Sequence, residues 1–166
     1  MPKRAWIYLQ QKPPQLVGFE LSSVDSQRHA CENYCAQQGL SVVGESVDLG
    51  RFGPRQRRPG LDQALAAAEA RAFDVLVTPR PQRLPREATP FQRLLEALEQ
   101  ASAELRFGEP DSPSPTDHLT QLRAEEQADR EHHKEQLAAN LRLKNRLQPT
   151  PKPPPKRPNT KAQTQE

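Results

Sequence analysis

The sequence predicts an α/β fold, in which helices cover both faces of a mainly parallel sheet, and two observations support it. Four short segments of strand character alternate with three helical segments, and the connections between them are short. All eight aromatic residues lie between Trp6 and Phe107, so the hydrophobic core is expected to end there. Only 34% of the residues are hydrophobic and 18 are proline, which indicates that part of the chain lies outside a compact core.

The predicted strands are short and rich in branched or aromatic residues, and the helices begin at residues that favour helix starts. Ser22 or Ser23 is the expected cap of the first helix, and Pro59, Thr89 and Thr116 mark the starts of the others. The prolines between 79 and 86 are expected to exclude regular structure. The predicted strands are 4–9, 41–47, 73–78 and 103–107, and the predicted helices run to about 38, 71, 98 and 147.

These elements predict four regions along the chain. Residues 1–107 form the α/β domain, 108–115 a proline-rich linker, 116–147 a long helix and 148–166 a basic, proline-rich, disordered tail. The tail has four cations and one anion, which equals the net charge of +3 for the whole chain. Such a tail either adds sequence-independent contacts to phosphates or only keeps the protein in solution.

Several classes of protein are excluded by composition. The chain contains no apolar run near the ~20 residues that a membrane span requires, and Met1 to Arg4 lead to no signal-cleavage pattern, so a cytoplasmic protein is expected. Cys31 and Cys35 lie on one helix face and are expected to be buried thiols. With no second cysteine pair, and with His132 and His133 adjacent on a helix, no metal site is expected.

Positive charge is concentrated where ligands bind in open parallel sheets, at the carboxyl ends of the strands. Solvent-exposed loops often carry arginine, so solvation alone is one explanation. The prolines between 79 and 86 favour a second one, since they stiffen the loop and orient its guanidinium groups, which match phosphate oxygens in bidentate geometry. The eight cations of these loops are Lys12, Arg51, Arg55, Arg57, Arg58, Arg80, Arg83 and Arg86.

Several motifs of the chain occur in one order that resembles a known family. They include Arg58-Pro59-Gly60-Leu61, Asp74-Val75-Leu76-Val77 and Arg83-Leu84-Pro85-Arg86. In this order they resemble the catalytic domain of the serine site-specific recombinases, the resolvase/invertase group. Asp129-Arg130 in the long helix extends the resemblance, which covers residues 4 to 147.

The resemblance implies a mechanism of DNA strand transfer. In the family, a serine after the first strand attacks a DNA phosphodiester, arginines stabilise the transition state, and neither a metal nor a cofactor takes part. In this chain the serine position is Lys12 and the neighbouring arginine position is Gln10. Gln82 replaces the usual acidic residue, and Phe52 replaces the serine of the loop after the second strand. The family's phosphate-binding arginines correspond to Arg58, Arg83, Arg86 and Arg130, and Lys12 and Arg80 are further cations that are expected to contact DNA phosphates.

Three functional hypotheses follow. The first is a catalytically degenerate recombinase domain that has kept DNA-phosphate binding, because a protonated lysine does not perform the family's transesterification. The second is a non-enzymatic interaction protein, which pairs through helix 116–147 with itself or with an active recombinase. The third is an active enzyme with a displaced nucleophile; Ser22 and Ser23 are better explained as helix caps.

Overall fold

The computed structural model describes residues 1–11, 24–50, 56–148 and 152–155. Its contacts divide the chain into two units, Met1–Ala128 and Asp129–Glu166. The described residues form four strands, β1 (Arg4–Gln11), β2 (Ser41–Leu49), β3 (Val75–Thr78) and β4 (Glu104–Phe107), and four α-helices, α1 (Val24–Gln38), α2 (Pro59–Glu69), α3 (Ala88–Gln100) and α4 (Pro115–Leu147).

The four strands form one parallel sheet in the order β2-β1-β3-β4. In the centre of the sheet, Ile7 of β1 lies between Glu45 of β2 and Val77 of β3. Successive parallel strands need a crossover connection, and the helices between them supply it. The predicted parallel sheet is therefore confirmed.

Alternating side chains divide the core between the two faces of the sheet. On one face, Ile7 and Leu9 pack with Cys31 and Cys35 of α1, and all four are buried. On the other face, Tyr8 belongs to a second buried cluster, which also contains residues of α2, α3 and the beginning of α4. Helices on both faces are what the sequence predicts, and the two clusters confirm the arrangement.

Two strands are longer than the sequence pattern predicts. β1 continues to Gln11 and β2 to Leu49, because Gln10 pairs with Asp48 and Gln11 with Leu49 after the apolar pattern has ended. Gln10, Gln11 and Asp48 therefore belong to the sheet rather than to loops. Main-chain pairing extends a strand without an apolar side chain, so hydropathy alone misses this extension.

The predicted caps of α3 and α4 are wrong. α3 begins at Ala88 rather than after Thr89, because Glu126 of α4 accepts the Ala88 N–H at 2.8 Å and a tertiary contact takes the role of the cap. α4 begins at Pro115, and the Ser114 hydroxyl accepts the Asp117 N–H at 3.2 Å, so Ser114 rather than Thr116 is the N-cap. The expected cap of α1, Ser22 or Ser23, lies outside the described residues.

The proline-rich segment after β3 contains one turn of 3₁₀ helix, Pro81–Arg83, where the sequence predicts no regular structure. The Leu84 N–H donates to the Pro81 carbonyl at 3.0 Å and closes the turn. Proline is compatible with the first position of a helical turn, since its missing N–H is not needed there. The turn fixes the course of the main chain that carries Arg80, Arg83 and Arg86.

The first part of α4 packs on the α/β domain. Leu122 is buried in the core cluster, and Leu119 packs against that cluster. The His118 ring forms T-shaped contacts with the rings of Phe91 and Phe107 at centroid distances of 5.0 and 6.4 Å. In the second unit, the leucines of α4 are exposed. Among the described residues, no helix is both long and apolar enough to cross a membrane. Most of the predicted disordered tail lies outside the described residues.

Candidate functional site

The carboxyl edge of the sheet, where Gln11, Leu49, Thr78 and Phe107 end their strands, is the candidate site. In parallel sheets, the loops and helix N-termini that follow the strands meet at this edge. Lys12, Arg51, Phe52 and Arg55 are expected at this edge but lie outside the described residues. Arg58 and the segment from Arg80 to Arg86 are described.

Asp48 organises the start of α2. Its carboxylate accepts the Tyr8 hydroxyl at 2.7 Å and the N–H groups of Gly60 and Leu61 at 2.6 and 3.0 Å, and the residue is only 3% exposed. A negative charge at a helix N-terminus is stabilised by the unpaired N–H groups and the helix dipole. Asp48 therefore fixes α2, and with it Arg58, against the end of the sheet.

Arg58 connects the loops that follow β2 and β3. One of its terminal nitrogens donates to the main-chain carbonyl of Arg83 at 2.8 Å. Burial and the Asp48 carboxylate raise the pKa of Tyr8, whereas Arg58 acts in the opposite direction. Tyr8, Asp48, Arg58 and Arg83 thus form a continuous polar chain across the carboxyl edge.

The segment after β3 carries three arginines, which we call the arginine loop (Arg80, Arg83 and Arg86). Arg80 is exposed and forms an ion pair with Glu109, Arg83 is half-buried, and Arg86 is exposed. Burial lowers the pKa of Arg83, and the positive charges of Arg80 and Arg86 lower it further, whereas Glu109 raises it. Repulsion of the half-buried Arg83 by its two exposed neighbours favours the binding of an anion.

The side chain of Gln27 in α1 hydrogen-bonds the main chain at the end of β1, beyond the last residue that pairs with β3. β3 pairs with β1 only as far as Ile7, and beyond it the Gln27 side chain donates to the Gln10 carbonyl at 3.0 Å and accepts the Gln10 N–H at 3.4 Å. Both glutamines are buried. Gln10, at the family's arginine position, therefore has its main chain fixed, two residues before Lys12.

Other residues singled out by the sequence have different surroundings. Arg130 is exposed and belongs to the second unit, so its proposed role in phosphate binding stays a prediction. Gln82 is exposed on the 3₁₀ turn. Cys31 and Cys35 are buried free thiols, and burial raises the pKa of Cys31 to about 12. Within the described ranges, no three potential ligands converge as a metal site.

Sequence reasoning missed three of these polar roles. Asp48 at the end of a predicted strand, followed by Pro59-Gly60 at a helix start, is a usable signal, since helix N-termini attract carboxylates. Gln27 and Glu109 gave no such signal, because their partners lie 17 and 29 residues away along the chain.

Comparison with known proteins identifies the family and the fold. Residues 19–147 match the family described as Resolvase, N terminal domain. No curated protein sequence matches the chain. The N-terminal catalytic domain of TP901-1 integrase is similar in fold, with a TM-score of 0.58 and 22% sequence identity over 78% of this chain and 98% of that one.

Two further solved structures share this fold. The C-terminal catalytic domain of ISC1926 TnpA, an IS607-like serine recombinase, has a TM-score of 0.56 and 23% identity over 71% of this chain and 76% of that one. A resolvase family site-specific recombinase from Streptococcus pneumoniae has a TM-score of 0.57 and 16% identity, with 85% of this chain and 98% of that one covered.

Proposed function

Because this chain belongs to the resolvase family, through its match to the resolvase N-terminal domain, we propose that it binds DNA phosphates at the carboxyl edge without cutting the strand. The observation that carries the proposal is the contact of Arg58 with the Arg83 main chain, which brings cations from two loops together. Guanidinium groups match phosphate oxygens, and catalysis of phosphoryl transfer depends largely on such positioned charges.

The cations of the proposed site differ in accessibility. Arg80 and Arg86 are exposed and face solvent, where a DNA backbone approaches, whereas Arg58 and Arg83 are half-buried. We assign the three arginines of the loop to phosphate contact, with the exposed Arg80 and Arg86 reached first, and Arg58, which is tied to the Arg83 main chain, to the local positive field. Lys12 and Arg130 complete the proposed phosphate-binding set on the strength of the family resemblance alone.

The loss of strand cleavage is proposed on chemical grounds. A covalent link to a DNA phosphate needs a hydroxyl or thiolate nucleophile within reach of the arginines. The sequence places Lys12 at the family's serine position, and the Cys31 thiol is buried on the opposite side of α1 from solvent with its pKa raised to about 12. Neither side chain provides a nucleophile at neutral pH.

Salt dependence tests the binding half of the proposal. We expect the affinity for a DNA duplex, followed by fluorescence anisotropy, to fall steeply with salt, because counterions are released from the phosphates. Substituting Arg83→Ala and Arg86→Ala together should flatten that slope by about two phosphate contacts. Duplex affinity that is absent at low salt contradicts phosphate binding.

An adduct assay tests the cleavage half. The protein is incubated with a radiolabelled DNA and denatured, and a covalent protein–DNA species is sought by gel electrophoresis. We expect none. Lys12→Ser combined with Gln10→Arg restores two of the family's missing groups and serves as the comparison variant, with its thermal unfolding measured beside it. An adduct with the natural sequence that disappears on Ser22→Ala or Ser23→Ala shows a displaced nucleophile and contradicts the proposal.

A second candidate function is association through α4. Leu137, Leu141, Leu143 and Leu147 in the second unit are each at least half exposed, which is unusual for so many leucines on one helix. This observation favours a helix that covers its leucines with another chain, either a second copy or an active recombinase. Sedimentation that shows a monomer at high concentration, unchanged by Leu137→Gln and Leu141→Gln, rules out self-association.

A further inference from the structure

Glu109 is fixed beside the arginine loop by the main chain. The pairing of β3 and β4 continues beyond both strands, since the Gly108 N–H donates to the Thr78 carbonyl at 2.8 Å and the Glu109 N–H donates to the Pro79 carbonyl at 3.1 Å. The carboxylate of Glu109 accepts the Nε–H of Arg80. A carboxylate from the neighbouring strand is therefore placed directly at the first arginine of the loop.

The Arg80–Glu109 ion pair is accessible to solvent. The side chains are 58% and 33% exposed, respectively. Ion pairs that remain in contact with water contribute little to stability, so a competing anion is able to replace one partner. Glu109 differs in this respect from Asp48, whose carboxylate is buried and holds three hydrogen bonds.

Glu109 also acts on the rest of the loop. The positive charges of Arg80 and Arg86 and the negative charge of Glu109 act on Arg83 in opposite directions. Gln82, on the same turn, is uncharged, and the carboxylate that pairs with Arg80 comes from Glu109, the second residue after β4. A phosphate group that binds the Nε–H side of Arg80 therefore competes with the Glu109 carboxylate for the same donor.

We propose that Glu109 is an internal counter-ion of the arginine loop, and that a phosphate group displaces it from Arg80 on binding. That this phosphate belongs to DNA rests on the proposed function. The displacement of Glu109 from Arg80 by a phosphate group does not. Glu109 then lowers the affinity of the loop for isolated anions. Polyanions such as DNA, which engage Arg80, Arg83 and Arg86 together, overcome the competition.

Inorganic pyrophosphate is a suitable probe, because it presents phosphate oxygens without a nucleic acid. Its affinity is measured by NMR titration of the arginine Nε–H signals in the natural sequence and in Glu109→Gln. Removing one unit charge from within a few ångströms in a water-like dielectric should raise the affinity about fivefold. The Arg80 signal should move with the bound anion in both proteins.

Glu104→Gln is the matched control. Glu104 begins β4 at the opposite end of the strand, where it pairs with Lys3, so the substitution changes the net charge equally at a distant place. We expect its pyrophosphate affinity to equal that of the natural sequence. An equal gain in both variants shows an effect of net charge alone and contradicts the proposal.

Three other outcomes overturn the counter-ion role. Unchanged affinity in Glu109→Gln, or no pyrophosphate binding by either protein, shows that Glu109 does not compete with anions. Weaker binding in Glu109→Gln shows instead that Glu109 supports Arg80 in its binding position. A fivefold gain with pyrophosphate, together with no affinity for DNA at low salt, keeps the counter-ion role and removes the proposed DNA function.

Discussion

The charged side chains at the two ends of the sheet have different kinds of partners. At the amino edge, where the strands begin, Lys3 pairs with Glu104 at 2.8 Å, and Arg4 pairs with Asp74 at 3.1 Å. At the carboxyl edge, Asp48 is turned inward to Tyr8 and the start of α2, and Arg58 donates to a main-chain carbonyl. The nearby arginine loop contains three cations, of which Arg80 forms an ion pair with Glu109.

The charged side chains at the two edges differ in how far their charges are balanced by partners within the protein. At the amino edge, Asp74 pairs with Arg4 of the neighbouring strand β1. Glu104 of β4 pairs with Lys3, just before β1, across β3, so these charges are compensated.

At the carboxyl edge, the buried Asp48 carboxylate compensates a helix N-terminus and Glu109 pairs with Arg80. Burial and the charges of Arg80 and Arg86 still lower the pKa of Arg83, against the opposite effect of Glu109. A bound anion would relieve this repulsion, which supports the proposed binding of DNA phosphates at this edge.

The largest expected effect is at Asp48. Asp48→Ala leaves the Tyr8 hydroxyl and two main-chain N–H groups without their buried acceptor, which should lower the free energy of unfolding by about 3 kcal/mol or more. Urea denaturation measures this change. Asp62→Ala is the control, because its pair with Arg57 is exposed and long at 3.7 Å, and should cost below about 1 kcal/mol. Equal losses of unfolding free energy in the two variants would show that Asp48 does not hold the start of α2 in place.

A smaller effect is expected at the amino edge, where Ser102 connects α3 to β4 with a left-handed φ of 57°. Side chains other than glycine are strained there, so Ser102→Gly should raise the free energy of unfolding by about 1 kcal/mol. Glu99→Gly, within the regular part of α3, should change it by a similar amount in the opposite direction. Destabilisation by Ser102→Gly would show that its hydroxyl, rather than its backbone, matters.

The smallest effect is a dependence on acid pH at the amino edge. Hydrogen bonds from Arg4 lower the pKa of Asp74, and a hydrogen bond from Lys3 lowers the pKa of Glu104. The stabilisation is present above the ordinary carboxyl pKa of about 4 and is lost as the pH falls through the lowered values. Thermal unfolding between pH 5 and 3 should therefore show a steeper loss in the natural sequence than in Asp74→Asn. Parallel curves would contradict this assignment.

The sheet was predictable because its strands follow local patterns. Val75 to Thr78 is a continuous buried run, and the alternation of strands and helices leaves few possible topologies for a parallel sheet. The ends of β1 and β2 were not predictable from hydropathy, since Gln10 and Asp48 are held there by main-chain pairing. The start of α3 depends on Glu126, 38 residues away, and no local rule contains that contact.

The candidate site was predictable only in part, for the same reason. Arg58, Arg83 and Arg86 follow strands of a parallel sheet, and this order along the chain is enough to predict that they lie at one edge. The roles of Asp48 and Glu109 depend on the partner that each carboxylate reaches in the fold. Asp48 accepts main-chain N–H groups at the start of α2, whereas Glu109 accepts the Arg80 guanidinium. The spacing along the sequence predicts at which edge a charged residue lies, but its ion-pair or hydrogen-bond partner is known only from the folded structure.

The most direct test of the account compares the removal of two cations from each edge. Arg83→Ala with Arg86→Ala at the carboxyl edge, and Lys3→Ala with Arg71→Ala at the other end of the sheet, change the net charge equally. At low salt, the first pair should weaken duplex DNA binding by about tenfold or more and the second by less than about twofold, with both variants folded by thermal unfolding. Equal losses from the two pairs would mean that DNA responds to the overall charge alone, and would contradict a phosphate-binding site at the carboxyl edge.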